Sequence, residues 1–324
     1  MTGRWLLASP EGDVEWEAAT LDDAGGLLAA TAARHRETAL STIRPPSYDV
    51  RTGEALTVLR GLPARKFQCC VTSPPYFQLR DYGHADQLGQ EETPDLYISR
   101  LADIFEEVRR TLRDDGTLWV VLADTYCSNP STSTTPRALQ GNGTGSFRVP
   151  AQHHADARRG RANRATPLVR AGYPLKSLLG IPGMLIAEMQ RRGWVYRSPI
   201  VWAKRGGMPE NVRDRRRSAY EFVLLFAKRK RYFYDQLAVP EARDNLWTLP
   251  VNSYRADHAA MMPLSLADRC IRLASAPGDE VVDPFGGLGT VPAAALAAGR
   301  STTAIELNPD YAVRLRKRLS LTVS

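Results

Sequence analysis

The sequence predicts a doubly wound α/β protein, and three observations carry that expectation. From Tyr48 onward, apolar runs of strand length alternate with segments of helical periodicity. One run, Val281-Val282-Asp283, leads into a glycine-rich turn from Pro284 to Gly289 and then an alanine-rich helix, the order that open parallel sheets use to bind nucleotide-like ligands. Another, Phe67 to Thr72, ends in the stiff corner Ser73-Pro74-Pro75-Tyr76. At 324 residues, 43% hydrophobic and 24% charged, the chain can bury a large core, which excludes a disordered polymer or a lone small module.

Taken in order, residues 1 to 46 form an N-terminal extension of unassigned role, where Thr20 and Asp22-Asp23 would cap a short helix containing Leu27, Leu28 and Ala32. Residues 47 to 127 hold the strand Phe67 to Thr72 and a helix from about Tyr97 to Leu112, with Ile98, Leu101, Ile104, Phe105 and Val108 at helical spacing. Asp114-Asp115-Gly116 reads as the stop, and Thr117 to Leu122 as a buried strand. Residues 128 to 172 are rich in Ser, Thr, Gly, Asn, Pro and Arg and read as a surface insertion. Residues 173 to 257 give a helix near Pro182 to Arg192, a strand Val195 to Trp202, a basic loop Lys204 to Arg217 and a strand Glu221 to Ala227. Residues 258 to 324 give helix, strand, glycine turn, a helix Val291 to Ala298 stopped by Gly299, and a strand Thr302 to Ile305 ending in Glu306.

Forty-three Lys and Arg against 35 Asp and Glu leave a formal charge of +8, which favours a polyanionic partner. Seven arginines lie between Arg137 and Arg170 against the single acid Asp156. Cys69, Cys70, Cys127 and Cys270 lack zinc-ligand spacing and read as reduced core residues, so no metal is expected. The apolar run at Trp5 to Ala8 is too short for a signal core and none approaches a membrane span, so a cytoplasmic protein without membrane contact is expected.

Two segments carry chemistry. Around Gly286, Gly287 and Gly289 the backbone can pass close to a ligand, Asp283 can reach its polar groups, and Glu306 can accept from both ribose hydroxyls. A plain tight turn is the alternative, and the Asp-Pro-Phe start is atypical of a dinucleotide site. At Ser73 to Tyr76 two prolines without N–H groups leave carbonyls as fixed acceptors, Ser73 adds a hydroxyl and Tyr76 a flat ring. That set suits a planar heterocycle bearing an exocyclic amino group.

Together these segments resemble the DNA amino-methyltransferases over about residues 48 to 318, in the permuted order called the beta class. Thr72-Ser73-Pro74-Pro75-Tyr76 matches the catalytic motif, Asp283 to Thr290 the cofactor loop, and Ala304 to Pro309 the ribose-binding strand. Further similarity lies at Leu79 to Tyr82, Leu122 to Tyr126, Arg197 to Lys204 and Met208 to Val212. The resemblance implies a Rossmann-like, mainly parallel seven-stranded sheet with one reversed strand. It also implies S-adenosylmethionine as cofactor and methylation of cytosine N4 in double-stranded DNA, with adenine N6 or an inactive DNA-binding relative as the alternatives. Ser73, Pro74, Pro75 and Tyr76 would be catalytic. Glu54, Asp283, Phe285, Gly287, Gly289, Thr290, Glu306, Asn308, His258 and Pro263 would hold the cofactor. Arg137, Arg148, Arg158, Arg159, Arg161, Arg164, Lys204, Arg205, Arg213 and Arg215 would contact DNA. A cognate restriction endonuclease and a second copy of the chain are further partners the resemblance leaves open. Leu288 and Val291 depart from the Ser and Thr usual in the cofactor loop, which removes a hydroxyl near the methionine end.

Overall fold

A computed structural model describes residues 5–7, 16–18, 45–79, 84, 86–127, 167–206, 213–251 and 262–323. Strands β1 (Trp5–Leu7) and β2 (Trp16–Ala18) pair antiparallel within a unit that ends at Pro45. The helix expected near Leu27 lies outside the described residues.

The second unit, from Pro46, is built on an eight-stranded sheet. Its elements are β3 (Tyr48–Thr52), α1 (Ala55–Arg60), β4 (Phe67–Thr72), α2 (Pro94–Thr111), β5 (Leu112–Leu122), α3 (Pro167–Arg170) and α4 (Ile181–Arg191). Next come β6 (Val195–Arg205), β7 (Tyr220–Ala227), β8 (Leu246–Pro250), α5 (Leu264–Ala274), β9 (Glu280–Asp283), α6 (Thr290–Ala297), β10 (Ser301–Glu306) and α7 (Pro309–Val323). The strands lie in the order β3-β10-β9-β4-β5-β7-β6-β8. Those from β3 to β5 run parallel, β7 is reversed against both neighbours, and β8 is parallel to β6.

Alternation along the strands sends side chains to two faces, and each face has its own core. Phe67, Cys70, Leu118, Val120 and Phe226 pack with Leu59 of α1, Leu101 and Phe105 of α2 and Leu185 of α4. Cys69, Val71, Trp119, Val121 and Val281 pack with Leu266 and Ile271 of α5 and Ala294 of α6. All four cysteines are buried free thiols, and burial pushes Cys69 up to about 12. No helix among the described residues is long and apolar enough to cross a membrane.

Three local readings change. The sheet has eight strands, not seven. β8 buries Trp247 and Leu249 while Leu246 and Thr248 face out, and Pro250, which lacks an N–H, is tolerated on the edge. Asp114-Asp115-Gly116 lies inside β5 as a bulge: Phe67 pairs with Leu112, but Cys69 pairs with Thr117. The terminal segment beyond Glu306 folds into α7, whose Ala312, Leu315 and Leu319 bury against Val50 and Ala304.

Candidate active site

Parallel strands β4 and β9 are neighbours, so their carboxyl ends meet at the same edge of the sheet. There Thr72 Oγ1 donates to Asp283 Oδ1 at 2.6 Å, and the Phe285 N–H donates to the same oxygen at 3.0 Å. Burial pushes the Asp283 carboxyl up to about 7 against the pull of those two bonds.

The proline corner is held from three sides. Tyr97 of α2 donates its hydroxyl to the Pro75 carbonyl at 2.9 Å, so this acceptor, expected to be free, is engaged. Gly89, at φ +93°, presses so close that a Cβ there would stand 2.9 Å from the Tyr76 carbonyl oxygen. The Tyr76 phenol donates to Glu221 Oε2 at 2.6 Å, while Lys204 Nζ lies 2.5 Å from Glu221 Oε1. Burial and the Glu221 charge hold the phenol well above its usual pKa, with the Ser73 hydroxyl opposing. It is therefore a permanent donor.

At the glycine turn, Gly286 N–H donates to the Ile305 carbonyl at 2.7 Å, drawing the loop onto β10. Glu306 accepts from Gly287 N–H at 2.7 Å on one oxygen and from Asn308 N–H at 2.8 Å on the other. Its carboxyl is pushed up by burial, against those bonds. The Glu54 carboxylate caps α1, accepting from Leu56 and Thr57 N–H groups at 2.9 and 2.8 Å. Burial works against its charge, but these bonds and Arg100 prevail and keep its pKa low. Asn308 caps α7 by accepting from the Asp310 N–H at 2.9 Å.

One cavity of about 500 Å³ joins the two corners. Ser73, Pro74, Pro75 and Tyr76 line one part, and Glu54, Asp283, Phe285, Gly287, Thr290, Glu306 and Asn308 line the other. Gly289 is absent from the wall. At φ +82° it opens α6 and packs against Leu315, so it serves the turn and the packing. Pro263 precedes α5 and is likewise outside the lining, where its neighbour Met262 stands. His258 lies outside the described residues, as do Arg137, Arg148, Arg158, Arg159, Arg161 and Arg164. Of the expected DNA contacts, Lys204 is in the cavity wall. Arg205 and Arg213 are exposed, and the Arg215 guanidinium stands 3.9 Å over the ring of Tyr126, another cavity residue.

The sequence reading gave Glu221, Asp124, Tyr97 and Gly89 no role in the site, although Asp124 lies in the Leu122 to Tyr126 segment that resembles the family. Asp124 follows β5 directly and accepts from Gly180 and Ile181 N–H groups, both at 3.0 Å, fixing the start of α4. A carboxylate just past a buried strand was the available signal. Glu221 was read only as the start of a strand, and its contact with Tyr76, 145 residues away, left no local signal.

A glycine turn, strand-end carboxylates and a rigid corner around one crevice are the plan of a doubly wound ligand-binding protein. The chain belongs to the N6/N4 DNA methylase family, whose model matches residues 67–316. It is 39% identical over 275 residues to the Type II methyltransferase M.XycI of Xanthomonas campestris pv. cyanopsidis, covering 82% of this chain and 86% of that protein. Two solved structures share the fold. The PvuII DNA methyltransferase (cytosine-N4-specific) aligns with a TM-score of 0.60 and 17% identity, over 86% of this chain and 94% of that one. A Thermus thermophilus protein solved with S-adenosyl-L-methionine aligns at 0.57 and 23%, over 85% and 94%.

Proposed function

We propose that this DNA methyltransferase transfers the methyl group of S-adenosylmethionine to N4 of a cytosine turned out of duplex DNA, as the modification enzyme of a Type II system. The observation that carries the reading is the single cavity shared by Ser73 to Tyr76 and Asp283 to Glu306, tied by the Thr72–Asp283 bond. The permuted beta-class arrangement agrees with the chain order, in which the proline corner follows β4 and the glycine turn follows β9.

The residues fit the cofactor. Gly287, at φ +52°, has no atom nearer its Cβ position than Phe285 O at 4.0 Å, so a ligand can lie against the bare backbone. The Glu306 carboxylate, which accepts backbone bonds from Gly287 and Asn308, has lone-pair capacity left for a ribose hydroxyl. Glu54, Asn308, Phe285 and Thr290 complete that end of the wall. Bound there, S-adenosylmethionine supplies an electrophilic methyl on a sulfonium.

The chain then has to activate a poor nucleophile, since the amino lone pair of cytosine is delocalised into its ring. Ser73 Oγ and the Pro74 carbonyl accept the two amino hydrogens and turn the nitrogen toward a tetrahedral form. The lone pair would then be free to meet an electrophilic methyl, so that what these residues contribute is mostly positioning. The Tyr76 ring stacks on the base and offsets part of an extrusion cost of roughly a few kcal/mol. Arg205, Arg213 and Arg215, together with the arginines between Arg137 and Arg164, hold the phosphates. Ser rather than Asp before Pro-Pro-Tyr favours cytosine over adenine.

The test is to digest DNA from cells expressing the protein and identify the modified nucleoside by mass spectrometry. N4-methylcytosine is expected; N6-methyladenine would move the reading to the other amino group. Ser73→Ala combined with Tyr76→Ala should abolish methyl transfer while largely sparing DNA binding. Normal transfer by that variant would refute the site.

A further inference from the structure

Lys204, expected to meet a phosphate, instead stands inside the cavity wall against Glu221. Glu221 is buried, and its two oxygens are divided between the Lys204 ammonium and the Tyr76 phenol. Removing a carboxylate and an ammonium from water is costly, and the mutual attraction repays it only in good geometry with further hydrogen bonds. The sheet does not require the pair: β6 and β7 are already zipped by a backbone ladder from Val195↔Ala227 to Ala203↔Tyr220. What the pair reaches is the far end of the Tyr76 side chain. The near end of that side chain is fixed independently, by Tyr97 on the Pro75 carbonyl and by Gly89 against the Tyr76 carbonyl. Held at its Cα and at its hydroxyl, the ring has a fixed long axis, and because a phenol O–H prefers to lie in the ring plane, the bond to Glu221 also biases rotation about that axis.

We infer that Glu221 and Lys204 are positioning residues that clamp the Tyr76 ring by its phenol oxygen. The face on which an everted base stacks is thereby set before DNA arrives, and Lys204 serves this clamp instead of a phosphate. The inference rests on the methyltransfer reading above. Lys204 holds Glu221 in place; Glu221 fixes the phenol; the ring meets the base. Neither charged group touches the reacting atoms.

The experiment measures transfer of labelled methyl from S-adenosylmethionine to unmodified phage DNA by wild type, Tyr76→Phe, Glu221→Gln, their double variant and Lys204→Met. Duplex affinity is measured in parallel across salt concentrations. Each single change should lower kcat roughly 10- to 100-fold, the range for losing a hydrogen bond to a charged group. The Tyr76→Phe/Glu221→Gln double variant should be no slower than Tyr76→Phe alone, because that change already removes the bond to Glu221 along with the phenol's contact to Ser73. Lys204→Met should lower kcat while KM for DNA, duplex affinity and its salt slope stay at the wild-type values. Tyr76→Phe, which removes one oxygen, guards against misfolding as the cause.

Multiplicative losses in the double variant would overturn the clamp. So would a Lys204→Met protein that binds duplex more weakly with a salt slope reduced by about one, the signature of a lost phosphate contact. An active wild type with either result refutes the clamp alone, whereas a wild type that transfers no methyl refutes the parent reading together with it.

Discussion

Gly289 and Asp283 show how single side chains set the terms of the cavity. Gly289 sits at φ +82°, and a Cβ there would collide with Leu315 Cδ1 of α7. Gly289→Ala should cost roughly 1–3 kcal/mol, from backbone strain and overpacking, and lower the melting temperature. Asp283 has a carboxyl pushed from the ordinary 3.8 up to about 7 by burial. Between those values the folded state binds the proton more tightly than the unfolded chain, so this group's contribution to stability is full at low pH and is lost as pH rises toward 7. The slope approaches roughly 1.4 kcal/mol per pH unit for one group. Subtracting the stability profile of Asp283→Asn, measured by urea unfolding from pH 4 to 8, should leave that falling limb. A flat difference would mean that Asp283 ionises normally.

Elements were legible where one signal dominated. β4 runs from Phe67 to Thr72 as expected, because six buried residues end at Ser73-Pro74. Helix α2 starts earlier than its apolar stripe, at Pro94, because the Thr93 side chain accepts from Leu96 N–H and Pro is favoured in a first turn. β5 was truncated in the sequence reading because Asp114-Asp115-Gly116 has turn chemistry, and only pairing with β4 makes it a bulge. α7 was overlooked because Arg314, Arg316, Lys317 and Arg318 crowd the narrow stripe of Ala312, Leu315 and Leu319. α4 begins after Gly180 in the left-handed region, which brings no capping side chain, so Asp124 supplies the cap from the segment that follows β5. Asp124→Ala should therefore cost about 0.5–2 kcal/mol, read from chemical unfolding. It should also loosen one wall of the cavity.

At the scale of the whole molecule, the two corners were visible as motifs, but their convergence depends on β4 lying beside β9, which no local pattern states. The clamp on Tyr76 was less visible still, because it needs the order β5-β7-β6 to bring Lys204 and Glu221 around. The excess positive charge, by contrast, is plain in composition. Replacing Arg158, Arg159 and Arg161 together by Ala should weaken duplex binding across all sequences and reduce the magnitude of the salt slope by up to about three, if each contacts one phosphate. Filter binding over a range of salt checks this. The pairing of β3 with β10 has a temporal consequence. Ser47 bonds to Ser301 across 254 residues, so the first strand of the sheet has no lasting neighbour on that side until the ribosome has reached β10. At about 5–20 residues per second that wait is roughly 12 to 50 seconds. Glu306, at the end of β10, is made later still, so the wall of the cavity cannot be complete before those seconds have passed.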